Sequence, residues 1–232
     1  ESCSVSIEGR PAVRWAGKPV VVPGDLSAAA FFIVGATIVP GSDVTIRTVG
    51  MNPTRTGILD VLLSMGAQIE ILNPREEAGE PVADLRVRAA PLHGVPIGPE
   101  LIPQTIDEFP IICVAAAVAE GITTVTGAEE LRVKESDRIA TMAAELRAMG
   151  ARIEERADGM VIYGLGQAGR NGRLAGATCS SHGDHRVAMS VAIGGLTATS
   201  STVVRDTACI DTSFPRFESK LLELLTESSK GL

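Results

Sequence analysis

An α/β domain of three repeated α/β units, with helices buried inside and sheets on the outside, is the fold class that the sequence predicts. Three observations point to it. A pattern recurs with a period of about eighty residues, longer than the usual solenoid repeats of about 20–50. The first helix of each copy is apolar on every side, and a helix with no polar face has to be buried all round. Short β-branched stretches follow those helices at corresponding places.

The first copy reads GDLSAAAFFIVGATIVPGSDVTI and then NPTRTGILDVLLSMGAQIE. The second reads IDEFPIICVAAAVAEGITTVTG and then KESDRIATMAAELRAMGARIE. SMGAQIE and AMGARIE match almost residue for residue, with Met65 and Met149 equivalent. A looser third copy begins GDHRVAMSVAIGGLTATSSTVV and continues through CIDTSFPRFESKLLELL. The units are expected at about 20–89, 90–166 and 167–232, after a leading segment over 1–19.

In that leading segment SVSIEG, Ser4 to Gly9, reads as a lone strand and RPAVRWAGK as a linker. A single strand has no stability of its own, so this one is expected to pair with a domain outside the chain. Ala28 to Ala36 and Phe109 to Ala119 are the buried central helices. The second helix of each unit is amphipathic: Ile139, Met142, Leu146 and Met149 recur at spacings of three and four, leaving Glu145 and Arg147 for solvent. Ile58, Leu62 and Met65 repeat the logic, and Gly66 and Gly150 suit the residue after a helix end. Strands are expected over Val44 to Thr48, Thr123 to Thr126 and Ser201 to Arg205, and in pairs after each Met-Gly-Ala turn.

The chain has 232 residues and 45% hydrophobic content, enough for a packed core. The longest apolar run, Phe109 to Ala119, falls short of the roughly 18 residues that suggest a membrane span, so no membrane is expected as a partner. ESCSVSIEGR lacks the basic and apolar regions of a secretory signal and starts abruptly, as a fragment would. A formal charge of −7 and 3% aromatic residues leave neither a basic face nor stacking platforms for nucleic acid. The four cysteines form no CxxC pair, which suits a reducing cytoplasm.

The candidate chemistry lies at helix starts. Asp25, Asp107 and Asp184 each head an apolar helix, where a carboxylate accepts from first-turn N–H groups and suits the dipole. Asp107 differs, because Glu108 can cap in its place and Pro110 suits the first turn. In LRVKESDR, Leu131 to Arg138, strand alternation would put Arg132 and Lys134 on one face and Glu135 on the other, with Ser136 or Asp137 capping a helix from Arg138. A cation at a helix N-terminus opposes the dipole by about 0.3–1 kcal/mol. That conflict points either to a bound phosphate or carboxylate or to a solvated, salt-bridged helix start. HGDHR, His182 to Arg186, poses the same alternatives.

Cys179, His182 and His185 lack a fourth ligand or a known spacing, so no metal is expected. GLGQAG, Gly164 to Gly169, satisfies G-x-G-x-x-G, but RNGRLAG after it forms no helix to hold a pyrophosphate, and it reads as a loop. No phosphate loop, nucleophile elbow or HExxH is present.

PGDLSAAAFF, NPTRTGILDVLLSMGA, IDEFPII, LRVKESDR, GDHRVAMS and TSFPRF, in that order over about Val21 to Phe217, resemble the 5-enolpyruvylshikimate-3-phosphate synthase family. The resemblance implies a two-domain enzyme with its cleft between two threefold-repeated domains, of which this chain is similar to the carboxy-terminal half. It implies transfer of the enolpyruvyl group of phosphoenolpyruvate to the 5-hydroxyl of shikimate 3-phosphate, with no metal or organic cofactor. It also implies that Asp107 binds the acceptor's hydroxyls and takes the proton, that Lys134 contacts the acceptor, and that Glu135 protonates the methylene carbon. Arg138 and Arg186 would hold phosphoenolpyruvate, with His185 close by. Arginine forks suit phosphate and carboxylate, and carboxylates in unlike surroundings can divide acid and base roles.

One departure is Thr212, where some members carry a lysine. The larger one is the amino-terminal half, which supplies further substrate contacts, so the chain alone is expected to be inactive. The other readings are an enolpyruvyl transferase acting on UDP-N-acetylglucosamine, and a catalytically silent scaffold domain.

Overall fold

A computed structural model describes residues 4–9, 16–17, 19–167 and 173–227. In chain order the elements are α1 (Leu26–Ile38), β1 (Asp43–Gly50), α2 (Gly57–Ser64), β2 (Gln68–Glu77), β3 (Glu80–Arg88), β4 (Pro96–Ile97), α3 (Ile102–Thr105), α4 (Phe109–Val118) and β5 (Ile122–Val125). They continue with α5 (Arg138–Ala148), β6 (Arg152–Arg156), β7 (Gly159–Tyr163), β8 (Thr178–Ser180), α6 (His185–Gly195), β9 (Val203–Arg205) and α7 (Phe217–Glu227). Three 3₁₀ turns, Glu129–Val133, Leu165–Gln167 and Thr207–Thr212, connect some of them.

The apolar helices are central, as their composition requires. Every residue of α4 from Phe109 to Ala117 is buried, and α4 packs on α1, α5 and α6. The sheets lie outside this bundle: β1-β3-β2, all antiparallel; β4-β5-β7-β6, parallel only between β4 and β5; and the parallel pair β8-β9. α7 is joined to α1 by edge-on aromatic packing, with Phe31 and Phe217 ring centres 6.0 Å apart. Among the described residues no helix is long and apolar enough to cross a membrane.

The helix stops repeat as the sequence predicts. Ile139, Met142, Leu146 and Met149 are fully buried, as are Ile58, Leu62 and Met65. Gly66 and Gly150 then take φ values of 97° and 85°, a left-handed conformation that is easy for glycine. β2–β3 and β6–β7 follow as hairpins.

Two expectations fail for physical reasons, and the segment expected to pair outside the chain forms no strand within it. Ser4 to Gly9 is in no strand, and Val5 and Ile7 are 99% and 95% exposed, because no neighbouring strand satisfies its ladder. The linker read over RPAVRWAGK falls mostly outside the described residues. LRVK is no strand either: Glu129–Val133 winds into a 3₁₀ turn that buries Leu131, while Arg132 is drawn to Asp137 at 2.8 Å and to Glu155 at 3.1 Å. Glu145, assigned to solvent, is only 8% exposed, since α5 packs against β8 on that side and the carboxylate accepts from Ser180 N at 3.1 Å and pairs with His182 at 2.6 Å.

Candidate functional site

The starts of α1, α4, α5 and α6 and the turn before α2 bring together charges that the chain keeps far apart. Asp25 and Asp184 are caps, accepting from Ala28 N at 3.0 Å and Arg186 N at 2.8 Å. Asp107 is not one. Glu108 occupies the N-cap position of α4, with Pro110 in the first turn, but against expectation its side chain makes no cap bond, because it accepts from Ser27 instead; the Asp107 carboxylate ahead of it is about one third exposed. Asp137 caps α5 through Ala140 N at 3.0 Å, which places Arg138 in the first turn.

Arg138 is fully buried and organises the cluster. Its Nε donates to Asp184 Oδ2 at 2.9 Å and its Nη2 to Glu135 Oε2 at 2.6 Å. Its Nη1 lies 3.6 Å from Asp107 Oδ1, too far for a hydrogen bond, and is a buried donor with no partner among the described residues. Burial tends to raise the pKa of Asp184, but the hydrogen bond and charge of Arg138 outweigh it and hold the carboxyl below its usual value.

Arg186 Nη1 donates to the Asp107 carbonyl at 3.0 Å, and its Nη2 stands 3.4 Å from Asp107 Oδ2. His185, at the first position of α6, has its pKa lowered by burial and then by the Arg186 charge, so its ring is neutral near pH 7. Lys134 pairs with Glu130 one turn back. Of the six residues singled out in the sequence, Asp107, Glu135, Arg138 and Arg186 thus form one connected cluster. His185 lies beside Arg186, and Lys134 is turned toward Glu130.

Sequence reasoning missed Arg55, Ser27 and Glu108. Arg55 Nη2 approaches Asp107 Oδ2 to 3.8 Å and donates to Ser27 Oγ at 2.8 Å, and the Ser27 hydroxyl donates to the buried Glu108 carboxylate. Only a weaker signal was present, because Arg55 stands two residues before α2, whereas Arg138 and Arg186 lie within the first turns of their helices. The Cys179, His182 and His185 group does not converge: His182 is taken by Glu145, and burial pushes the Cys179 thiol up to about 12. Among the described residues no group of three possible ligands could hold a metal. Thr212 spends its hydroxyl on the Cys209 carbonyl at 2.7 Å. Gly164 and Leu165–Gln167 are loop and 3₁₀ turn, and the end of GLGQAG lies outside the described residues.

Glu108 also makes a pH prediction. Burial raises its carboxyl above the usual 4.5, against the Ser27 hydrogen bond and the charges of Arg186 and Arg55. The folded chain therefore binds this proton more tightly than the unfolded one. Its contribution to stability is complete below about 4.5 and falls as pH rises toward the folded value. Glu108→Gln, which keeps an acceptor for Ser27, should flatten the decline of the thermal midpoint above about pH 4.5. A variant whose midpoint falls as steeply as the parent's would assign that decline to another group.

The family model for EPSP synthase (3-phosphoshikimate 1-carboxyvinyltransferase) matches residues 1–221. A 3-phosphoshikimate 1-carboxyvinyltransferase of Geobacter sulfurreducens is 59% identical over 205 residues, covering 88% of this chain and 46% of that protein. One from Desulforudis audaxviator is 51% identical over 222 residues, covering 96% of this chain and 50% of that protein. The chain thus spans about half the length of the curated relatives it matches. The solved EPSP synthase of Acinetobacter baumannii superposes with a TM-score of 0.87 at 42% identity, over 92% of this chain and 48% of that one. The enolpyruvyl transferase NikO of Streptomyces tendae, at 17% identity and a TM-score of 0.66 over 88% of this chain and 44% of that one, shares the fold. With a family model that matches nearly its whole length, this chain belongs to the EPSP synthase family.

Proposed function

We propose that this chain is one half of a 3-phosphoshikimate 1-carboxyvinyltransferase of the cytoplasm, supplying the acid–base face of a cleft that an amino-terminal half completes. The observation that carries this reading is the buried, unpartnered Nη1 of Arg138, which lies beside Arg186 and Asp107. A guanidinium nitrogen left without an acceptor in a buried place is costly, and an anionic substrate oxygen would supply that acceptor. The capped starts of α5 and α6 add the positive ends of their dipoles to the same place.

In this reading Arg138 and Arg186 grip phosphoenolpyruvate by its phosphate and carboxylate, with neutral His185 alongside. Asp107 binds the hydroxyls of shikimate 3-phosphate and accepts the proton of the 5-hydroxyl as its oxygen bonds to C2 of phosphoenolpyruvate. Glu135, half exposed and already tethered to Arg138, delivers a proton to C3. The product is a tetrahedral ketal. Loss of phosphate from C2 and of a proton from the new methyl group then restores the carbon–carbon double bond. Lys134 turns from Glu130 to the acceptor; leaving an exposed pair of that kind costs about 0–1 kcal/mol. No step calls for a metal or an organic cofactor. The relatives' names favour the shikimate acceptor over UDP-N-acetylglucosamine.

Phosphate release from phosphoenolpyruvate plus shikimate 3-phosphate tests the reading. The chain alone should release none, and its mixture with an amino-terminal half from a close relative should turn over. Release by the chain alone would refute the need for a second half, and silence in both would favour a scaffold or a different acceptor.

A further inference from the structure

We propose that Arg55 is a positioning residue that aims the Asp107 carboxylate, and that the buried Ser27–Glu108 pair holds Arg55 in place. The inference rests on the reading of Asp107 as the base and adds to it a device built largely from the first repeat unit.

Several independent features fix the guanidinium. The turn that carries Arg55 is closed by its own bonds: Arg55 N donates to the Asn52 carbonyl at 2.9 Å, and Asn52 Oδ1 accepts from Thr54 N at 3.0 Å and Thr54 Oγ1 at 2.8 Å. Two residues on, Gly57 opens α2 so close to α3 that a Cβ there would meet Gln104 Cβ at 2.7 Å and Thr105 Cγ2 at 2.8 Å. The glycine therefore clamps the turn against the segment that leads directly into Asp107. At its far end the side chain is held by Ser27. That hydroxyl has one hydrogen, given to Glu108, so a lone pair remains for Arg55 Nη2 at 2.8 Å.

Ser27 and Glu108 are both buried, so the anchor is rigid although half of the Arg55 side chain is exposed. The result is a guanidinium whose strongest bond is to Ser27 and whose charge stands between Asp107 at 3.8 Å and Asp25 at 3.9 Å. Arg138 and Arg186 face the same carboxylate but are assigned to phosphoenolpyruvate, so they cannot hold Asp107 steady while they grip the substrate. Arg55 is assigned no part in binding phosphoenolpyruvate, and its other acidic neighbour is Asp25, the cap of α1, at 3.9 Å. A carboxylate that must meet a hydroxyl in hydrogen-bond reach is sensitive to small displacements, and 1 Å can cost about 100-fold in rate.

Two experiments decide the matter. Crystal structures of the Arg55→Ala and Ser27→Ala chains should show the Asp107 carboxylate turned away from its parental rotamer; an unmoved carboxylate in both overturns the proposal. In the mixture with an amino-terminal half, Arg55→Ala should lower kcat by about 10–100-fold with KM for phosphoenolpyruvate unchanged. An unchanged kcat, or a rise in KM alone, would equally overturn it. Should the unsubstituted mixture fail to turn over, the reading of the reaction falls, while the crystal comparison still decides whether Arg55 aims Asp107.

Discussion

Replacing Arg138 with methionine should destabilise the chain by about 3–5 kcal/mol, because it strands the wholly buried Asp184 carboxylate without its partner. The loss is not that of an ordinary ion pair. Asp184 caps α6, accepts from Ser136 Oγ at 3.2 Å and is held below its usual pKa by Arg138, so the whole start of α6 depends on the bond. Urea unfolding near neutral pH measures the effect. Adding Asp184→Asn should recover much of the loss, since the amide oxygen still caps and no charge is left buried. A group held low stabilises the fold above its unfolded pKa and loses that contribution as pH falls through the folded value. Acid should therefore weaken the parent below about 3.8 and leave the double variant less affected. A single variant within about 0.5 kcal/mol of the parent would mean that the buried pair adds nothing.

Asp107→Asn should lower turnover of the assembled enzyme by about 10²–10⁴-fold, the usual worth of a positioned acid–base group. The amide keeps the shape and one acceptor oxygen but cannot take the proton that the proposed reaction assigns to Asp107. Stability should change by less than about 1 kcal/mol, because this carboxylate caps no helix and is one third exposed. The contrast with Asp25 and Asp184, both helix caps, is itself informative, since three aspartates at equivalent places would then have different duties. Phosphate release and thermal unfolding on the same samples separate the two effects. Full activity in Asp107→Asn would remove Asp107 from the proton-transfer role and direct attention to Glu108 or Glu135.

Much of the fold was legible in the chain because local chemistry and global packing agree. α4 could only be central, since it has no polar face to offer water. The α5 stripe from Ile139 to Met149 and the glycine after it repeat the plan of α2 and Gly66. Where the two levels disagree, the sequence misleads. LRVK coils because Arg132 gains more from Asp137 and Glu155 than a strand would provide, whereas SVSIEG, expected to pair only outside the chain, is unpaired within it. Glu145 looked exposed only because its burial depends on β8, too short a strand to stand out in sequence.

The candidate site follows the same division. Cations placed against helix dipoles at Arg138 and Arg186, and two adjacent acids competing for one helix start at Asp107 and Glu108, are local conflicts that a sequence displays by itself. Arg55 lies ahead of its helix rather than in the first turn, and nothing local says that a turn from the first unit reaches an aspartate in the second. Element type, the helix stops and the central place of the apolar helices were set by the sequence alone, because they depend on periodicity, glycine φ and caps within a few residues. Which charges meet was decided only by the tertiary structure. Arg138 reaches Asp184 across 46 residues and Ser27 reaches Glu108 across 81 because the buried helices bring their N-termini together, and such proximity is a property of the packed core rather than of any one segment.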